Sequence, residues 1–270
     1  MMRSDQIKFS GLPDNDLCPL LEDLCLTAWP ALKTIHDDGW LLRFAQGHTG
    51  RSNSVTCLAA GTLPVARKVD RVEAAYVREG LPPRFRITPL APAELTAELD
   101  RRGYRRQEEN LVQAAVIPPG LIPPGVAPVA DGLRWRVETA PAEDLLEGYA
   151  QALPLPVGER GSMRQLLSAI AVPTLYVSAW DGDRYAASAL GVVDRGWLGI
   201  YKVLVARGQR GRGLAHRLLT RLLAAGAEAG ATHAYLQVGG ANHAALATYA
   251  RAGFQTAYRY QYRQALQLHD

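Results

Sequence analysis

The spacing of apolar residues changes along this chain, and the changes lay out its elements. Residues 16–36 read as a helix interrupted near Pro30. Residues 40–45 read as a strand, 47–50 as a turn and 53–59 as a second strand. A helix over 64–79, a short strand over 84–88, a helix over 92–102 and a strand near 111–117 follow. The alternation then starts again. A strand at 134–138 precedes a helix from about Pro141, a loop over 154–161 and a helix near 163–171. Strands are expected at 174–180, 185–194 and 198–205, the first two joined by the hairpin signal Asp181-Gly182-Asp183. Leu214, Ala215, Leu218, Leu219, Leu222 and Leu223 recur at helical spacing, with His216, Arg217, Thr220 and Arg221 on the other face and Gly230 as the stop. A strand over 233–238 ends at the bend Gly239-Gly240.

The two halves echo each other. Leu95, Leu99, Gly103 and Tyr104 stand in the pattern of Ala245, Tyr249, Gly253 and Phe254 at a constant offset of 150 residues. Between the halves, Pro118, Pro119, Pro123, Pro124 and Pro128 exclude a sheet or helix interior, so the stretch reads as a surface linker with a boundary near residue 125. Two domains follow from this, 1–125 and 126–270.

The most informative stretch is Arg210-Gly211-Arg212-Gly213-Leu214-Ala215, between the strand at 198–205 and the helix from Leu214. The first N–H groups of a helix have no intrahelical partner, and glycines let an anion approach the backbone, so this turn is suited to a pyrophosphate. It is not a P-loop, because Leu214-Ala215-His216 supplies no Gly-Lys-Ser/Thr, and not a Rossmann fingerprint, because His216 stands where the third glycine belongs. Arg210, Gly213 and Ala215 do fit Arg/Gln-x-x-Gly-x-Gly/Ala. Downstream, Asn242, Ala245, Tyr249, Gly253 and Phe254 form a second spaced motif.

Together these motifs resemble the GNAT superfamily of N-acetyltransferases, over roughly residues 134–264. The resemblance implies an α/β (α+β) fold of two GNAT-like domains, each a mixed, mostly antiparallel sheet flanked by helices, the first a degenerate copy. At the 150-residue offset its loop reads Ala60-Gly61-Thr62-Leu63-Pro64-Val65, without the arginine and the second glycine, and Leu99 replaces the tyrosine. The resemblance further implies an acetyl-CoA-dependent N-acetyltransferase acting on a primary amine by direct attack in a ternary complex. Val203, Leu204 and Val205 would offer backbone groups to the pantetheine arm and acetyl carbonyl. Arg210, Gly211, Arg212, Gly213, Leu214, Ala215 and His216 would hold the pyrophosphate, Asn242 would bond the pantetheine region, and Tyr249 would be the general acid. Family members often carry a glutamate near the strand before the loop; here that strand has no carboxylate, and Asp194 and Glu159 are the alternatives. A small-molecule amine is the first choice of acceptor and a protein amine the second. A non-catalytic acyl-CoA-binding regulatory module is the competing class, and one CoA per chain is expected.

Composition narrows the class. The chain has 270 residues, 48% hydrophobic and 21% charged, enough for two cores. Its net charge is +4, carried mainly by arginine, without the basic run or aromatic platform of a nucleic-acid binder. A cofactor carrying several negative charges is explanation enough, and a solvated arginine-rich surface is the alternative that takes the larger share. Cys18, Cys25 and Cys57 are odd in number and contain no C-x-x-C, so reduced, packed thiols and a cytoplasmic location are expected, with no metal. There is no leader-like apolar region at residues 1–11 and no run of about 20 apolar residues, so no membrane contact is expected. The chain is expected as a monomer or homodimer. The polar cluster Arg51-Ser52-Asn53-Ser54 reads either as a turn that bonds its own backbone or as the lining of a groove between the halves.

Overall fold

A computed structural model describes residues 17–120, 132–141, 143–152 and 157–265. Most of the proline-rich linker, with the expected boundary near 125, lies outside them, as do residues 1–16. Helix α1 (Leu17–Ala28) buries Leu21, Leu24, Cys25 and Ala28 and stops just ahead of Pro30. Residues 33–36, expected to be helical, instead belong to β1 (Lys33–Asp37), antiparallel to β2 (Trp40–Phe44). The Asp38-Gly39 turn between them, with φ of 46° and 85°, has the left-handed pair that a two-residue hairpin requires. β3 (Val55–Cys57), α2 (Val65–Arg78), β4 (Arg84–Ile87), α3 (Ala93–Arg101) and β5 (Arg105–Val116) complete the first half.

The second half runs β6 (Arg134–Glu138), α4 (Glu143–Ala152), α5 (Val157–Ser168), β7 (Thr174–Asp181), β8 (Arg184–Asp194), β9 (Trp197–Val205), α6 (Leu214–Glu228), β10 (His233–Gly239), α7 (His243–Arg251) and β11 (Gln255–Gln264). The loop expected over 154–161 is shorter than anticipated, because α5 already begins at Val157. Gly158 and Gly161 each cost a helix about 1 kcal/mol, and burial of Met163, Leu166 and Leu167 against the sheet offsets that.

All eleven strands form one sheet in the order β1-β2-β3-β4-β11-β5-β10-β9-β8-β7-β6. The order is pseudo-symmetric about the β11/β5 junction, with β6 an extra edge strand on the second half. β3 and β4 are parallel, as are β9 and β10. The strand that closes each half crosses to the other: β5 pairs with β10, and β11 pairs with β4. The two also pair with each other from Gln255↔Ala114 to Gln264↔Arg105. The two expected sheets are thus joined edge to edge, and their inner edges are paired rather than exposed.

The echo at 150 residues extends to backbone geometry. Gly61 and Gly211, Gly80 and Gly230, and Gly103 and Gly253 all have positive φ. Tyr104 N–H donates to Leu99 O and Phe254 N–H donates to Tyr249 O, both at 3.0 Å. α1, α4 and α5 cover one face of the sheet, over Tyr176, Leu190, Trp197, Tyr201 and Tyr235. On the other face, α6 and α7 cover Val177, Ala187, Leu198, Ile200 and Leu236, while α2 and α3 pack on β2 to β4.

Candidate active site

Two parallel strands that part company create the central opening. β9 and β10 pair from Trp197↔His233 to Ile200↔Leu236 and no further, although β9 runs on to Val205 and β10 to Gly239. Where they separate, β9 is bulged. Tyr201 pairs with Leu190 and Leu204 with Ser188, so Lys202 and Val203 together face Ala189. Lys202 adopts φ +52°, an unusual conformation for a residue with a Cβ. The extra residue puts Tyr201 and Lys202 on one face. The Lys202 ammonium lies 4.9 Å from the Trp29 ring centroid and 5.4 Å from that of Tyr149. Val203 and Val205 pack on the opposite face.

β9 leads through a single 3-10 turn, Arg207–Gln209, to the glycine loop and α6. Gly213 is the N-cap residue, at φ 73° and ψ 12°, and provides no side-chain cap. The first intrahelical bond runs from Arg217 N–H to Gly213 O, so the N–H groups of Leu214, Ala215 and His216 precede the ladder. A Cβ at Gly211 or Gly213 would meet nothing within 4 Å, so glycine is needed here for its backbone angles. Arg210 and Arg212 are exposed beside these donors; Arg212 is held by Gln209 Oε1, and Gln209 by Asp181 at 3.1 Å. Uncapped donors, two arginines and open space suit a pyrophosphate.

The corresponding turn in the first half holds an anion of its own. The Asp38 carboxylate accepts the backbone N–H groups of Thr62 at 2.8 Å and Leu63 at 2.9 Å, and the Thr62 hydroxyl at 2.9 Å. The fully buried Lys68 pairs with it at 3.2 Å and also donates to Ala60 O at 2.7 Å. The Leu63 and Thr62 N–H groups hold the Asp38 carboxyl well below the usual carboxylate range. A Cβ on Gly61 would come within 2.0 Å of Asp38 O, so the loop is pressed onto its plug.

Of the other expected site residues, Tyr249 is buried on α7 with its ring 6.0 Å from that of Phe254. Its hydroxyl has no hydrogen-bond partner among the described residues. Burial pushes its pKa up, and the Arg51 charge opposes the shift. Asn242 is exposed and caps α7, its Oδ1 accepting from Ala245 N at 3.2 Å; the amide NH₂ is left to other partners. Asp194 pairs with Trp197 at the far end of β9, about 17 Å along the strand from Lys202. That distance removes it as a base. Glu159 lies on α5, and its side chain is outside the described residues.

Arg51 resolves the two readings of its cluster. Ser52 and Asn53 are turn residues: Asn53 Oδ1 accepts Ala45 N–H at 2.7 Å and Gly47 N–H at 2.9 Å, and Ser52 Oγ donates to Pro30 O at 2.9 Å. Arg51 instead reaches across 186 residues to donate to Gln237 O at 3.4 Å. Gln237 is the first residue of β10 beyond its pairing with β9. Lys202 and Asp38 are the residues that reading the sequence does not single out. Cys18, Cys25 and Cys57 are free thiols, each pushed up to about 12 by burial. Among the described residues no group of three or more His, Cys, Asp or Glu is arranged to hold a metal ion, and no helix is long and apolar enough to cross a membrane.

Comparison with known proteins agrees with this architecture. The family described as "Probable histone acetyltransferase Rv0428c C-terminal" matches residues 20–263. The "Uncharacterized N-acetyltransferase YobR" of Bacillus subtilis (strain 168) is 24% identical over 245 residues, covering 90% of this chain and 96% of that protein. Among solved structures, a GCN5-related N-acetyltransferase from Kribbella flavida matches with a TM-score of 0.68 at 16% identity, over 93% of this chain and 97% of that one. A tandem GNAT protein from the clavulanic acid biosynthesis pathway matches with a TM-score of 0.61 at 15% identity, over 93% and 88%. These structural likenesses establish a shared fold, and the sequence match over residues 20–263 establishes membership. The chain belongs to the Rv0428c C-terminal acetyltransferase family and is a GNAT-type N-acetyltransferase.

Proposed function

We propose that the chain moves the acetyl group of acetyl-CoA to the primary amine of a small molecule, by direct attack in a ternary complex formed in its second half. The observation that carries this reading is the opening between β9 and β10 beyond Ile200↔Leu236. It has an uncapped helix start at one end and gives access to the α4–α5 face of the sheet. In this reading Arg210, Gly211, Arg212, Gly213, Leu214, Ala215 and His216 hold the pyrophosphate through backbone N–H groups and guanidinium charge. Val203, Leu204 and Val205 bond the pantetheine arm with the backbone edge that β10 leaves unpaired beyond Ile200, and the Asn242 NH₂ reaches the same arm.

At the opening the amine nitrogen forms a bond to the thioester carbonyl carbon, and the carbon–sulfur bond breaks. The N–H of Val203, released from the regular ladder, donates to the carbonyl oxygen as charge builds on it. Tyr249 gives its proton to the departing sulfur. The amine proton leaves to water, since Asp194 is remote and β9 carries no carboxylate. The first half is in this reading a degenerate copy that binds no CoA and shapes the substrate side. Its anion turn is filled by Asp38, and its closing strand β5 supports β10.

The family description favours a second acceptor class, a protein amine such as that of a histone. Excess positive charge near the opening, from the buried Arg43 and the half-buried Arg51, argues against a lysine-rich tail. A panel of small amines and a histone-tail peptide, assayed with acetyl-CoA for free thiol release, separates the two. Turnover confined to the peptide would overturn the small-molecule reading.

A further inference from the structure

The face of the sheet beneath α1 and α4 carries more buried positive than negative charge. Its buried carboxylate, Glu22, is already committed: it accepts from Arg86 at 3.0 and 2.6 Å and from the Tyr258 hydroxyl at 2.5 Å. Arg43 is spent on backbone carbonyls, donating to Leu26 O, Trp29 O and Arg51 O. Arg51 remains. Its side chain donates a long hydrogen bond to Gln237 O, also meets the Tyr260 hydroxyl, and forms no ion pair with any described carboxylate. A guanidinium stays charged under all ordinary conditions, and a charge partly withdrawn from water, as the half-buried Arg51 is, favours an anionic partner.

The position of Arg51 is built rather than accidental. Its backbone carbonyl is fixed by Arg43 at 2.7 Å, and Ser52 and Asn53 pin the turn behind it. Its charge acts on the phenols of Tyr149, Tyr201 and Tyr249. Its bond to Gln237 O, on the first β10 residue past the pairing with β9, puts Arg51 at the opening, with Tyr201 and Tyr249 on opposite faces of the sheet. Tyr149 also lines a narrow, open-sided apolar pocket walled by Leu145, Met163, Leu167, Tyr176 and Leu190, with Lys202 at its edge. Tyr149 therefore lies within reach of the Arg51 charge and lines the apolar pocket.

We propose that Arg51 receives the carboxylate of the acceptor, so that the acceptor is a small amine bearing a carboxylate and an apolar group, with the apolar group in the pocket beside Tyr149. The inference rests on the acetyltransferase reading above and adds its substrate class. The planar fork of arginine matches a carboxylate with two parallel N–H donors. An acceptor held this way has its charge paired by a residue of the first half while its amine meets the second-half reaction centre. The first half then has a direct part in specificity.

The test uses the full chain with leucine, leucinamide and isopentylamine as probes. Thiol release from acetyl-CoA and calorimetric binding in the presence of CoA are both read. Leucine is expected to be favoured over the other two, and Arg51→Gln to raise the leucine KM about 10- to 100-fold, as for loss of a charged hydrogen-bonded pair. The leucine-to-leucinamide preference should fall to about one. Arg51→Lys, which keeps the charge without the fork, should recover part of it. Circular dichroism and melting separate these effects from unfolding. Equal use of leucine and leucinamide by the wild type overturns the carboxylate assignment and leaves acetyl transfer standing. Failure of leucine to bind or react, with turnover of isopentylamine, does the same. Absence of thiol release with any amine overturns the parent reading as well.

Discussion

The carboxylate of Asp38 accepts the backbone N–H of Thr62 at 2.8 Å, and Thr62 stands 150 residues before Arg212. The first half therefore carries its own anion where the second half has an uncapped, open turn. One CoA per chain is expected, measured by calorimetry, and Asp38→Ala should lower the melting temperature without adding a second site. The pH dependence has a definite sign. Asp38's folded pKa is depressed, so its stabilisation is fully present above the unfolded carboxyl value of about 3.9 and is lost as pH falls through the lower folded value. The deficit of Asp38→Ala should be constant near neutrality and start to shrink below about pH 4. Two CoA bound per wild-type chain would contradict this account.

At Gly213 the backbone angles carry the prediction. Proline requires φ near −65°, whereas Gly213 has +73°. Gly213→Pro should remove acetyl-CoA binding in a protein that still folds, read by calorimetry and circular dichroism together. Unchanged affinity would place the pyrophosphate elsewhere.

Tyr249→Phe deletes one hydroxyl from a buried ring. Folding and CoA affinity should survive, and turnover should fall by about a hundredfold if the phenol protonates the leaving group. Burial raises the Tyr249 pKa above its ordinary value, so the acid form persists to alkaline pH. With water taking the amine proton, the rate should climb with pH as the acceptor amine becomes neutral, without a descending limb below pH 10. Wild-type turnover by Tyr249→Phe with chemistry rate-limiting would make Tyr249 a packing residue.

The buried Arg86–Glu22 pair makes a stability prediction. Both side chains are at most 5% exposed, and Arg86 stacks 3.4 Å from the Tyr260 ring centroid. Removing one partner leaves the other charge buried, so Glu22→Gln should cost about 3–5 kcal/mol in denaturant unfolding. A cost under about 1 kcal/mol would mean that water reaches the pair.

The parts of the site written in local chemistry are legible in the sequence. Gly211 and Gly213 adopt positive φ because the turn needs it, and the apolar face of α6 follows from Leu214, Leu218 and Leu222. The Asp38-Gly39 hairpin signal is equally local, and the helical spacing read over 16–36 overrides it wrongly. Other features have no local signature. β5 and β11 look the same whether they close their own half or the other, so the exchange is invisible until the strands pair. Arg51 belongs to its turn by sequence and to β10 by reach. The bulge at Lys202 depends on how β8 and β9 register, and neither strand alone specifies it.

The central claim is that acetyl transfer to an amine takes place at the opening between β9 and β10. Amine-dependent release of free thiol from acetyl-CoA, compared between wild type and Tyr249→Phe, tests it most directly. The account predicts release that requires a small amine, appears as acetylated amine in equal amount and falls about a hundredfold in the variant. Thiol release that ignores the amine, or that is the same in both proteins with chemistry rate-limiting, would contradict it.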